Sequence, residues 1–149
     1  MGSVQGVHIN SLDPRTIVAE QEFILVINKT GGHTCIGDVL CFKVDATYGN
    51  GINVDVPDSA NLSAFAGVGE EIVDDGAVLK AQTHGINYHA LVLGHASLDE
   101  GDVLKPVAAA SHFVYHGAAD GLPYFAVYVG AAYTNVTTAA LKSVILYGW

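Results

Sequence analysis

The chain has 149 residues, half of them hydrophobic and only 14% charged, with a formal net charge of −9. That length suits a single domain, and the lack of any basic cluster excludes a surface that clamps nucleic-acid phosphates. No apolar run reaches about 18 residues, which excludes an ordinary membrane-spanning helix, and so little charge on so small a domain implies apolar surface covered by a partner chain.

Residues 1 to 20 are polar, punctuated by glycine and without a clear period, so they read as an extended amino-terminal arm. Their first stretch, "MGSVQGVHINSLDPRT", has no basic segment leading into an apolar core, and synthesis in a cytoplasm is expected. Residues 21 to 149 read as one β domain built from short runs rich in valine, isoleucine, tyrosine and phenylalanine. The predicted strands are 22–28, 38–45, 52–57, 77–83 and 88–94, followed by 102–107, 111–117, 124–133 and 143–148. Short helices are predicted only at 57–67, after Pro57 and Ser59, and at 134–143. The spacing near ten residues points to an all-β fold with few short helices: a small antiparallel barrel or a sandwich.

Three strand starts share one phrase: "CIGDVLCF", "VDDGAVLK" and "DEGDVLKP". Acids that accept backbone hydrogen bonds beside a glycine that takes positive φ make a tight turn, after which Val-Leu launches a strand. Asp38 and Asp102 are therefore turn residues before they are catalytic candidates. The unequal spacing excludes a solenoid and hints at two similar halves. Asn50-Gly51 is the strongest two-residue hairpin signal in the chain.

The remaining candidates for chemistry are weak. His112 and His116 would share a metal on a helix, but "HFVYH" reads as a strand, where four residues span about 13 Å. His84, His89 and His95 have mixed parity. Cys35 and Cys41 fit neither a zinc nor a disulfide pattern and are expected to be buried free thiols. Glu70-Glu71 and Asp74-Asp75 read as a solvated rim. No catalytic, metal or cofactor site is expected. Strands 22–28 and 124–133 are apolar on both faces, so Phe23, Tyr124, Phe125 and Tyr128 are the predicted contacts with sister chains.

The phrases "NKTGGHTCIGDVLCFKVD", "INVDVPDSANLSAFAGVGEEIVDDGAVLKAQTHG", "ALVLGHASLDEGDVLKPVAA" and "GLPYFAVYVGAAYTNVTTAALKSVILYG" occur in an order that resembles the head decoration, or cement, proteins of tailed bacteriophages. The resemblance covers roughly residues 28 to 148. It implies a β-barrel or β-tulip-like domain, trimeric and without catalytic residues, that sits on the outer surface of the virion and bridges major capsid proteins. On that reading the arm anchors the chain to the capsid through Val4, Val7, His8, Ile9, Leu12, Arg15 and Ile17. Neither nucleic acid nor membrane is an expected partner. Two alternatives compete: a carbohydrate- or ligand-binding β domain of a phage tail or surface protein, stacking sugars on Tyr48, Tyr88, Tyr115 and Trp149, and a small hydrolase using the histidines.

Overall fold

The computed structural model describes residues 21–117, 120 and 124–147. Nine strands follow one another: β1 Glu22–Asn28, β2 Val39–Phe42, β3 Asn53–Asp55, β4 Phe65–Gly69, β5 Val78–Val92, β6 Val103–Pro106, β7 Phe113–Tyr115, β8 Ala126–Val129 and β9 Ala140–Tyr147. The fold is all-β, and there is no helix among the described residues. Both predicted helices are replaced. Residues 59–63 form turns that lead into β4, and Asn135 Oδ1 accepts from the amides of Thr137 and Thr138 in a bend before β9. An asparagine that bonds its own backbone in this way competes with a helical turn.

The strands close into two rings that share β5. The first runs β1-β3-β2-β4-β5 and back to β1; the second runs β5-β7-β6-β8-β9 and back to β5. Closure pairs every strand on both sides and leaves neither ring an open edge for pairing with another chain. Each ring has the same connectivity. Its first and third strands are parallel (β1 with β3, β5 with β7) and its other pairings are antiparallel. The barrel is therefore mixed rather than wholly antiparallel, and it is double. The two halves hinted at by the repeated phrase are these rings.

That phrase occupies the same place in both. Gly37-Asp38 opens β2 and Gly101-Asp102 opens β6, each the second strand of its ring. Asp38 Oδ2 accepts from the Cys35 amide at 2.7 Å, and Asp102 Oδ2 from the Asp99 amide at 2.8 Å. Gly37 and Gly101 have φ of 96° and 91°, left-handed values that glycine adopts without steric cost. The third copy, at Asp74 to Gly76, opens β5. Register follows: Val39 pairs with Val68 and Leu40 with Gly67, as Val103 pairs with Val127 and Leu104 with Ala126.

Each ring encloses its own core. Val26, Leu40, Val54, Ala66, Leu79 and Ala81 fill the first. Leu104, Phe113, Ala126, Tyr128, Val144 and Leu146 fill the second, together with Val39, Phe65 and Val68, which come from the outer side of the first ring. Strands β2 and β4 thus form a wall with a core on either side, and alternate residues serve one or the other. Phe65 reaches across it: its ring stacks on Phe125 at 5.0 Å and lies 5.7 Å from Phe113.

Strand β5 serves both rings by bending. The predicted break at His84-Gly85 is a corner in one 15-residue strand. Gly85 has φ of 87°, and a β-bulge follows between Asn87 and Ala90. Across the corner the Asn87 side-chain amide donates to Gln82 Oε1 at 3.0 Å, while Gln82 Nε2 donates to the carbonyls of His84 and Ile86 at 2.9 Å each. Both side chains are buried and would destabilise the interior without these bonds.

Candidate interaction surfaces

Two outer faces of the double barrel carry apolar side chains. On the first ring Phe23, Leu25 and Val78 stand outward, Leu25 being 70% and Val78 56% exposed. The register places Leu25 beside Lys80 and Ile27 beside Val78, and the Lys80 ammonium lies 4.7 Å from the centre of the Phe23 ring. On the second ring Ile86, Ile145, Val127 and Val103 are cross-strand neighbours, forming one row over β5, β9, β8 and β6. All four are half-buried. Scattered apolar side chains are ordinary on a protein surface, and adjacent ones on the face of a sheet are candidates for contact with another chain.

The predicted sister-chain contacts separate. Phe23 is on the first of these faces and Tyr124 is 49% exposed, its ring meeting His116 edge-on at 5.8 Å. Phe125 is half-buried against Phe65. Tyr128 is 2% exposed and belongs to the core of the second ring; its hydroxyl donates to the Ala131 carbonyl at 2.9 Å, and burial raises its pKa. The chain itself therefore covers Tyr128, so the two-faced apolar pattern of this strand reports an inner core as well as an outer row. Val4, Val7, His8, Ile9, Leu12, Arg15 and Ile17 lie outside the described residues, as does Trp149.

Beside Tyr124, Lys105 Nζ pairs with Asp120 Oδ2 at 2.7 Å, and the Gly117 amide donates to the same oxygen. The Lys105 hydrogen bond is the main cause that holds the Asp120 carboxyl below its ordinary pKa. A carboxyl depressed by folding adds stability above its unfolded value of about 4, and that stability is lost as pH falls through the folded value. Urea unfolding is therefore expected to show wild type ahead of Asp120→Asn at about pH 6, with the gap narrowing as the pH is lowered below about 4. A gap that does not change with pH contradicts this pairing.

The other polar candidates are occupied by backbone or packing. His112 and His116 flank β7, and burial lowers the His112 pKa. His95 stacks on Tyr115 at 4.6 Å, and its Nδ1 accepts from the Ser97 amide. Glu70 Oε1 accepts from Asn87 and Glu71 Oε2 from the Lys80 amide, while Asp75 Oδ1 accepts from the Gly31 amide. Glu71, Asp74 and Asp75 are exposed, as a solvated rim requires, and Glu70, Glu71 and Asp75 also tie turns to strands. Cys41 is buried and its thiol is pushed up to about 12, chiefly by desolvation, whereas Cys35 is exposed, against expectation. Asp38 is raised, mainly by burial, in its turn. Among the described residues no three of His, Cys, Asp and Glu come together.

Tyr48 is the most elaborated of the exposed tyrosines. Lys29 and Lys43 lie 5.5 and 5.8 Å from its ring centre, Lys43 pairs with Asp55 at 2.6 Å, and Asp45 Oδ1 accepts from the Thr47 and Tyr48 amides. Asn50 Oδ1 caps the following turn by accepting from the amides of Ile52 and Asn53.

The double barrel has a counterpart among solved proteins. It resembles the N base of a phage head fiber. That protein, gp8.5 of bacteriophage phi29, aligns with 85% of this chain and 94% of its own, at a TM-score of 0.50 and 13% sequence identity. At that identity the likeness is one of fold. No protein-family model and no curated protein matches the sequence.

Proposed function

We propose that the chain is a structural protein of a tailed-phage head, seated on the outer surface of the capsid as a trimer and reinforcing the shell of major capsid protein. The observation that carries this reading is the fold shared with a head-fiber base over most of both chains. The chemistry of the described residues agrees with a mechanical role. Among the groups with altered pKa, Asp38 and Asp45 serve turns, Cys41 and Tyr128 are packed in cores, Lys43 and Asp120 belong to ion pairs, and His112 is partly buried beside β7; the conspicuous surface features are apolar sheet faces. Attachment is assigned to Val4 through Ile17, whose few apolar residues and single arginine are set among polar ones and could contact another protein.

Deleting residues 2 to 17 is expected to abolish co-sedimentation with intact heads while leaving the β circular dichroism spectrum unchanged. Undiminished binding by the shortened chain would place the anchor elsewhere. Glycan binding is the second reading, favoured by Tyr48 between two lysines and near Asp45 and Asn50. A sugar-dependent quench of tyrosine fluorescence, lost in Tyr48→Ala, would decide for it.

A further inference from the structure

Asn50 and Asn135 are both exposed and share one local geometry. The side-chain oxygen of Asn50 accepts from the Ile52 and Asn53 amides at 3.0 and 3.1 Å, and that of Asn135 from the Thr137 and Thr138 amides at 2.9 and 3.1 Å. They differ in the residue that follows, which is Gly51 in one case and Val136 in the other. The other described asparagines, Asn28, Asn53, Asn61 and Asn87, are buried, and each side chain is held by a hydrogen bond.

Two amide donors aimed at one carbonyl oxygen do more than close a turn. They draw electron density from the side-chain carbon, and they are in place to stabilise the negative oxygen formed when a nucleophile adds to it. The nearest nucleophile in the chain is the backbone nitrogen of the next residue, whose attack closes a five-membered ring. At Gly51 that nitrogen makes no hydrogen bond among the described residues, and a β-carbon would meet nothing within 4 Å, so the approach is open. Asn50 Nδ2, the group that would leave, is likewise without a partner among the described residues. After Asn135 the branched side chain of Val136 crowds the corresponding nitrogen.

We infer that Asn50 is a site of spontaneous covalent modification, deamidating through a succinimide to aspartate and isoaspartate. Water takes the Gly51 amide proton, the nitrogen bonds to the Asn50 side-chain carbon, and the bond from that carbon to Nδ2 breaks as Nδ2 gains a proton and departs as ammonia. A second water then opens the ring. Cleavage at the side-chain carbon gives aspartate, which keeps the acceptor of the turn and adds a negative charge to a chain already at −9. Cleavage at the main-chain carbon gives isoaspartate, which lengthens the backbone by one carbon just ahead of β3. That strand is held to β1 and to β2 by two residue pairs each, so little pairing resists the extra length. The change falls beside Tyr48, whose carbonyl accepts from the Asn50 amide.

Incubating the full-length chain in mildly alkaline buffer, folded and in parallel in urea, tests the inference by peptide mass spectrometry and an isoaspartate assay. In the folded chain the Asn50 peptide is expected to lose its amide and to divide into aspartyl and isoaspartyl forms, faster as pH rises, while Asn135 stays intact over the same period. Asn50→Gln is expected to abolish the change, because closure would then need a six-membered ring, and Asn50→Asp marks the position of the aspartyl product. An Asn50 that survives in the folded chain but converts in urea would show that the turn shields it, and overturns the inference. Conversion of Asn135 at the same rate overturns the part assigned to Gly51.

Discussion

Gly37→Ala is expected to lower the free energy of unfolding by about 3–5 kcal/mol, and Gly101→Ala by only about 1–2. The two glycines have the same left-handed backbone, so the strain of placing a β-carbon at positive φ is common to both. The difference is what the new methyl group meets. At position 37 it enters the junction of the two rings, against the His89 carbonyl and the Leu141 side chain, and the Leu91 amide bond to Gly37 must lengthen or break. At position 101 it points into open space. Thermal and urea melts of the two variants measure this directly. Equal losses would mean that the first ring does not insert its turn into the second.

Phe65→Ala is expected to cost about 3–5 kcal/mol, the range for emptying an aromatic site in a packed core. Phe65 leaves a strand of the first ring to fill the interior of the second, between Phe113 and Phe125. Its loss opens a cavity in the shared wall, where neither ring can collapse without moving the other. Native chain is therefore expected to unfold in one transition and the variant at a lower denaturant concentration. A loss under about 1 kcal/mol would show that the two cores do not depend on this contact.

The fold was legible where local chemistry decides conformation. The turn phrases at Gly37, Gly76 and Gly101 each open a strand, because an acid and a left-handed glycine suffice to build that turn. Strand β4 was hidden. Its sequence of small residues after Pro57 and Ser59 suggests a helical turn, yet Ala66 and Gly67 are small because the strand runs between two cores. A β-carbon at Gly67 would lie 2.7 Å from the Gln82 carbonyl oxygen. The continuity of β5 was hidden too, since Gly85 signals a turn whether the chain reverses or only bends.

The shared topology of the two rings was visible in the turns alone. The ring interiors differ, one filled with alanine, valine and leucine and the other holding Phe113 and Tyr128 as well, so the strands themselves show no repeat. The surfaces were legible in part. Apolar residues on both faces of a strand indicate cover without saying whose, and for Tyr128 the cover is the chain's own core. The row from Val103 to Ile86 was not legible, because its four residues come from four strands and meet only through register.

The central claim is that this double barrel is a component of a phage head. Its most direct measurement is binding of the full-length chain to intact phage heads, followed by sedimentation across a range of concentrations. Saturation at a fixed number of chains per head, lost on removal of residues 2 to 17, is the predicted result. A chain that stays in the supernatant at every concentration contradicts the claim.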